Sequence, residues 1–277
     1  MASPITNPGR RVAFETFRAT LGELYGREGV TELTFRDSWL SRLHSAEELT
    51  LNGWYEPPPL GMAVLFADER DVHRISYESL RLPEFAPSPR VMKWAHGMMY
   101  AYCSPVHRPT GMAGDFGVTL YFGSNLAIRD HFRRAYAATA ALLGEINSTT
   151  RSTALLHRSE LLFKEYGLKN TIASITDSVP LDLGHSIPII AADTLRTSRQ
   201  LSKRDQQLLG EKRRFVSTSV DWALAEEDQV TIEPQLVNPA RRTLPQVSFH
   251  YIVAARSSPV TLLQECDGLL REFGLRD

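Results

Sequence analysis

The 277-residue chain has few cysteines, almost no net charge and no long apolar run. Two cysteines, Cys103 and Cys266, cannot build a disulfide framework, so a reducing, cytoplasmic setting is the default expectation. A formal net charge of −1 argues against a nucleic-acid binder, which carries a basic excess. The basic run "EKRRF" at 211–215 reads as solvated helix surface. No apolar stretch approaches the ~20 residues of a membrane helix, and "MASPITNPGRR" lacks the apolar core of a signal peptide. The G-x-S-x-G elbow, the P-loop, the dinucleotide fingerprint and H-E-x-x-H are all missing. With them go the signatures of an α/β-hydrolase serine, a P-loop nucleotide site, a Rossmann cofactor and a helical zinc site.

What is present suits a soluble globular protein. An apolar fraction of 43% and a charged fraction of 23% are ordinary, and a chain of this length can bury a substantial core without staples. Helical spacing of Val12, Phe14, Phe17, Leu21 and Leu24 predicts a helix over 9–29 that ends at Gly29. A second helix is expected over 31–44, with Thr31 near its start. "GWYEPPPLG" (53–61) is a rigid loop, and "GMAVLFAD" (61–68) a buried strand. Two β-rich runs, "MMYAYCSPV" and "DFGVTLYFG", flank the turn formers "HRPTGMAG" and predict a hairpin. Helices follow over 126–146 and 152–167, and a surface helix over 202–216. The last part reads as two continuous strands, "QVTIEPQLV" and "QVSFHYIVA", then a helix "TLLQECDGLLREFG". An α+β single domain over 1–277, with halves of roughly 1–150 and 151–277, is the expected architecture.

Four ionisable residues stand inside apolar, strand-like text: Asp115, His185, Glu233 and His250. An unpaired charge in such surroundings is expensive, so each should be exposed, paired or bound to a metal. Period two puts Glu233 on a face with Thr231, opposite Val230 and Ile232. It puts His250 with Ser248 and Ile252, opposite Phe249 and Tyr251. A half-solvated strand has the same pattern, so pattern alone does not bring the four together. Cys103, near His107 or His185, reads as a buried inert thiol or a nucleophile. Trp54 and Tyr55 line a pocket or pack a loop. Arg81 in "RISYESLR" binds an anionic substrate or bonds its own loop.

The order of these motifs resembles the superfamily of methionyl aminopeptidase, prolidase and creatinase, whose catalytic domain is called the pita-bread fold. "REGVTEL" (27–33) is similar to that family's "pGvtE" turn, and the hairpin at 98–123 before a long helix is similar to its metal-binding hairpin. "LDLGHSIP" resembles its "HGxGHxxG" segment, "VTIEPQL" its "tiEPg" strand, and "VSFHYIVA" its "riEdxvlV" strand. The resemblance covers nearly the whole chain, and the "TIEP" match is its most specific part. It implies a curved antiparallel sheet flanked by helices, in two pseudo-symmetric halves.

The family binds two divalent metals through two aspartates, a histidine and two glutamates. Carried over residue by residue, His185 matches the histidine, Glu233 the first glutamate and Asp115 the second aspartate. The first aspartate falls near Ser104. A gapless alternative puts Pro105 where an aspartate belongs, and Asp115 then drops out. The last glutamate becomes His250, a further family histidine becomes Leu181, and the later proton-relaying histidine falls near Ala192. Two close cations need several bridging carboxylates. The remaining set of Asp115, His185, Glu233 and His250 therefore suits one divalent ion of iron, manganese, cobalt or zinc.

The resemblance thus implies a divergent, methionyl-aminopeptidase-like metal-dependent hydrolase of a small amide or peptide-like C–N bond. Glu233, His185 and His250 are the catalytic candidates, and Trp54, Tyr55, Arg81, Cys103 and Ser104 are weaker substrate-binding candidates. The expected partner is a small-molecule or short-peptide substrate, with no nucleic acid and no membrane; the family also implies a homodimer. The alternative is a mononuclear non-haem iron enzyme using His185, His250 and Glu233 for oxidative chemistry. A metal-free, creatinase-like hydrolase and a non-catalytic binding module complete the set.

Overall fold

The structure, a computed structural model, describes residues 6–54, 59–76, 86–171, 181–195, 198–256 and 260–276. Two helices open the chain, α1 (Pro8–Leu24) and α2 (Glu32–Ser45). Asn7 caps α1 by accepting from the Arg10 amide, with Pro8 in the first turn where a missing N–H costs nothing. Thr31 caps α2 through the Thr34 amide. α1 ends five residues before the expected Gly29. Gly26 already takes a left-handed φ of 74°, which stops the helix, and Gly29 (φ 72°) belongs to the turn that follows. Phe17, Phe35, Trp39, Phe66 and Phe116 meet at ring separations of 5.2–6.1 Å and join both helices to the first sheet.

That sheet is antiparallel, in the order β1 (Ala63–Asp68), β2 (Gly97–Cys103), β5 (Phe116–Tyr121). β2 and β5 form the expected hairpin. Its tip carries a smaller one, β3 (Val106–His107) with β4 (Met112–Ala113). Two helices then follow, α3 (Leu126–Gly144) and α4 (Ser152–Glu165), where the alanine- and leucine-rich period placed them.

The second half holds β6 (Lys169–Asn170), β7 (Asp182–Ser186), α5 (Ala192–Leu195), α6 (Lys203–Glu211) and β8 (Phe215–Ser217). Then come β9 (Val230–Ile232), β10 (Gln235–Val237), β11 (Val247–Ser248), β12 (Tyr251–Ala254), β13 (Thr261–Leu263) and α7 (Cys266–Glu272). A five-stranded sheet runs β13-β12-β9-β7-β8, and a three-stranded one β11-β10-β6. Antiparallel bridges Val118↔Phe249 and Met112↔Ile189 tie the first-half hairpin to these sheets. The fold is α+β, as expected.

Four expectations fail in detail. "QVTIEPQLV" is two strands: β9 pairs with β12 and β7, whereas β10 pairs with β11 and β6. Pro234 lacks an amide to donate, so the ladder breaks there and the chain changes sheet. "QVSFHYIVA" breaks likewise, because β11 pairs with β10 and β12 with β9. Residues 261–263, expected as helix, pair with β12 as a strand, and the helix starts only at Cys266. The helix over 202–216 is shorter too. It stops at Glu211, and Phe215 joins β8 opposite His185.

Candidate metal centre

The two strand breaks and the tip end of the β2–β5 hairpin face one another, and they bring the four singled-out residues together. Asp115 stands one residue before β5. His185 lies within β7. Glu233 fills the gap between β9 and β10, and His250 the gap between β11 and β12. Glu233 presents one carboxylate oxygen to each imidazole: Oε1 lies 3.5 Å from His185 Nε2, and Oε2 lies 3.1 Å from His250 Nδ1. Asp115 Oδ1 is 3.4 Å from the same His250 Nδ1. Asp115, His185 and His250 are buried, and the Glu233 side chain is 17% exposed.

Backbone geometry explains the convergence. Gly184, at φ 144°, lies so close to β9 that a Cβ would stand 2.0 Å from the Thr231 carbonyl oxygen, so only glycine lets β7 bring His185 this near. The Glu233 amide donates to the Leu183 carbonyl at 2.9 Å, and the His250 amide to the Gly117 carbonyl at 3.0 Å. Each strand break is thereby held by a neighbouring strand. Gly117 also leaves the space that the His250 ring occupies.

The donor atoms fit a cation. Ligand atoms of Asp115, His185 and Glu233 lie within 4.8 Å of one another, and His250 touches both carboxylates from outside this trio. Both Asp115 oxygens, the His250 Nδ1 and the Thr231 hydroxyl are buried without a hydrogen bond. A carboxylate so placed carries a large desolvation cost until something positive meets it. Burial pushes the Asp115 pKa up, but the neighbouring His250, with His185 behind it, outweighs burial and holds the group well below the usual carboxylate range. His185 Nδ1 lies 2.8 Å from the Ser186 carbonyl, which can only accept, so Nδ1 carries the hydrogen. The lone pair of a neutral ring is then on Nε2, towards Glu233 Oε1. Two acceptors facing each other across 3.5 Å repel unless a metal ion or a proton lies between them.

The surroundings of the trio are aromatic. Trp54 packs edge-on to the His185 ring at 5.4 Å, and Phe215 does so at 6.0 Å. The Arg213 guanidinium lies over both, 4.6 Å from the Trp54 ring and 5.1 Å from that of Phe215. On the other side, Tyr100 Oη is 3.4 Å from His250 Nε2, and the Tyr102 ring is 5.4 Å from the His250 ring. Burial, then the charges of Asp115 and Glu233, raise the Tyr102 pKa well above its ordinary value, so its hydroxyl keeps its proton.

The weaker candidates separate. Trp54 walls the site. Tyr55 and Arg81 lie outside the described residues. Cys103 is fully buried on β2, and burial pushes its thiol well above the ordinary range, which suits the inert thiol of the two readings. Ser104 is also wholly buried, with its backbone spent on Leu60 and Trp54, and it is not part of the donor trio. The turn-based alignment that kept Asp115 agrees with this geometry, whereas the gapless one does not. Leu181 is half-buried, and Ala192 opens α5. Sequence reasoning missed Tyr100, Tyr102, Gly117, Arg213 and Arg10. Only the two tyrosines had a signal, since they alternate on the strand that leads to Ser104.

No family model matches the sequence, and no curated protein matches it at the sequence level. Solved structures do match. The X-Pro aminopeptidase of Thermotoga maritima superposes with a TM-score of 0.57 at 13% identity, over 89% of this chain and 56% of its own. The prolidase of Pyrococcus furiosus gives 0.58 at 15%, over 89% and 58%. Escherichia coli aminopeptidase P gives 0.57 at 12%, over 97% and 58%. This chain has the pita-bread fold. It spans a little over half the length of these neighbours, and the likeness is one of architecture. Within a pita-bread frame the donor trio draws on both halves, with Asp115 from the first-half hairpin and His185 and Glu233 from the second. Among the described residues no helix is long and apolar enough to cross a membrane.

Proposed function

We propose that this chain is a metal-dependent hydrolase of a small amide or peptide-like C–N bond, with one divalent ion held by Asp115, His185 and Glu233. The observation that carries the reading is the trio of donors, two buried and Glu233 partly exposed, in which neither Asp115 oxygen has a hydrogen bond. An ion bound there supplies a water of lowered pKa and polarises a carbonyl. The residues do the rest. Glu233 holds the trio together and reaches His250 with its second oxygen. His250 Nδ1, between the two carboxylates, is placed to pass a proton to or from them. The Tyr102 hydroxyl, which keeps its proton, is available to donate to a substrate, and Trp54 with Phe215 restricts water around His185.

The neighbours' printed activities, X-Pro aminopeptidase and prolidase, support a short-peptide substrate, and a methionyl-aminopeptidase-like preference is the narrower form of the same proposal. The compact trio contains one histidine and two carboxylates, which favours hydrolysis over the two-histidine, one-carboxylate arrangement of iron–oxygen chemistry. One observation favours a metal-free reading instead. His250 Nδ1 sits 3.1 and 3.4 Å from two carboxylates, a position that suits an acid–base histidine.

Elemental analysis of protein purified without added metal, together with a dipeptide panel assayed before and after exhaustive chelation, separates the two. The expected result is about one ion per chain, lost in a folded His185→Ala variant, and turnover that stops on chelation. Full turnover by the chelated protein would establish the metal-free reading. Equal metal content in His185→Ala and the parent would refute the site.

A further inference from the structure

Arg10 is fully buried, and its guanidinium bonds two backbone carbonyls of the site and one carboxylate beside it. Nη1 donates to the carbonyl of Asp115, Nη2 donates to the carbonyl of His250 at 2.5 Å, and Nε meets Glu265 Oε2 at 3.1 Å. Those two carbonyls belong to residues outside any strand, Asp115 just ahead of β5 and His250 between β11 and β12. Backbone groups at such breaks need a partner once buried. A forked donor with five N–H groups can reach both at once, which lysine cannot.

The chain makes room for this contact. A Cβ on Gly114 would stand 2.8 Å from the Gly9 carbonyl carbon and 2.9 Å from the Arg10 amide nitrogen, so glycine lets the start of α1 lie against the hairpin turn next to Asp115. Asn7 locks the same approach, its Nδ2 donating to the Ala113 carbonyl and to Gln229 Oε1, each at 3.0 Å. "NPGR" at 7–10 and "GD" at 114–115 thus form one joint. Burial opposes the guanidinium charge, but Glu265, Cys266 and Asp115 together outweigh it, and the Arg10 pKa is raised.

We propose that Arg10 is a positioning residue for the metal centre, fixing the separation of Asp115 and His250 through their carbonyls while touching neither ion nor substrate. The proposal rests on the metal-centre reading above. Its probes are manganese(II) alone, titrated calorimetrically into metal-free protein, and the visible spectrum of the cobalt(II)-loaded chain, which reports ligand geometry. Arg10→Lys keeps the charge and loses the fork. It is expected to lower manganese affinity about 10–100-fold, the range typical of residues that orient ligands, and to change the cobalt spectrum.

Glu32→Gln is the control for lost stability. That carboxylate is also fully buried, and it bonds the Phe66 amide, Arg74 and Ser88, none of them in the site. It should lower the Tm and leave manganese affinity and the cobalt spectrum unchanged. A folded Arg10→Lys with parental affinity and spectrum would overturn the proposal, as would an equal loss of affinity in Glu32→Gln. Should Arg10→Lys fail to fold, Glu265→Gln decides: weakened manganese binding supports the proposal, and parental binding refutes it. No uptake by the unmodified chain would overturn the metal-centre reading itself, whereas normal uptake by parent and variants alike removes only the role of Arg10.

Discussion

Gly117 and His250 fit together with no room to spare: a Cβ at 117 would stand 2.5 Å from both Cδ2 and Nε2 of the His250 ring. The Gly117 carbonyl also accepts the His250 amide, so the His250 backbone cannot draw back without breaking that bond, and only a turn of the ring relieves the clash. Gly117→Ala is therefore expected to cost about 1–3 kcal/mol by overpacking, and to weaken metal binding because His250 must turn away from Asp115 and Glu233. Gly144→Ala, at the end of α3 where a Cβ meets nothing within 4 Å, is the control: it should leave metal binding unchanged and raise stability by about 0.4–1 kcal/mol at most. Urea unfolding and a manganese titration of both variants check this. Parental behaviour of the alanine at 117 would show that the ring has slack.

Glu233→Gln keeps the shape of the side chain and removes the charge that both imidazoles face. Metal affinity should fall by more than the ~10–100-fold typical of outer-shell partners, because a ligand oxygen is lost. Stability without metal should change little, since the side chain is partly exposed and water can solvate the amide. Calorimetric metal titration alongside thermal unfolding of the metal-free protein tests both parts. Unchanged affinity would remove Glu233 from the donor set.

His131 is buried on α3, and its Nε2 donates to the Pro245 carbonyl at 2.8 Å. Burial depresses its pKa more than that bond raises it, and His107 is lowered for the same first reason. An unfolded histidine titrates near ~6.5. Between that value and the lower folded pKa the unfolded chain binds more protons, so stability is present above pH ~6.5 and drains away as the pH falls through this window. The urea midpoint of the metal-free protein should thus drop between pH 7 and pH 5, and the drop should be shallower in His131→Asn. An equally steep dependence in that variant would assign the effect to other groups.

Both thiols are predicted to be inert. Cys103 and Cys266 are fully buried, and burial pushes the Cys266 pKa up to about 12 and that of Cys103 well above normal. Thiolate is the reactive form. Iodoacetamide at neutral pH should leave the native chain unmodified by mass spectrometry, and label both residues once the protein is unfolded. Labelling of Cys103 in the native state would reopen its candidacy at the site.

Much of the fold could be read from the sequence, because the helices carry clear apolar periods and caps such as Asn7 and Thr31. The donor set was visible as ionisable residues in apolar strands. Their convergence was not, because period two tells which face a residue takes and not which strand lies beside it. For the same reason "VTIEPQLV" read as one strand although Pro234 marks a change of sheet. The three residues of β13 are too few for any period to show. Arg10 left no signal at all: an arginine near a helix start reads as surface, and only the packing of Gly9 on Gly114 puts it inside. Tyr55 and Arg81 lie outside the described residues.

The breaks at 233–234 and 249–250 have a consequence for how this scaffold can be altered. The backbone bonds that hold these breaks, from the Glu233 amide to Leu183 and from the His250 amide to Gly117, do not involve the side chains, so a new side chain at the partly exposed position 233 need not disturb the pairing that holds β9, β10, β11 and β12 in register. Chemistry there is modular in a way that His185, embedded within β7 beside a glycine with no space for a substituent, is not. An engineer seeking a different reaction in this frame should redesign position 233 first and leave 184, 185 and the tightly packed 250 alone.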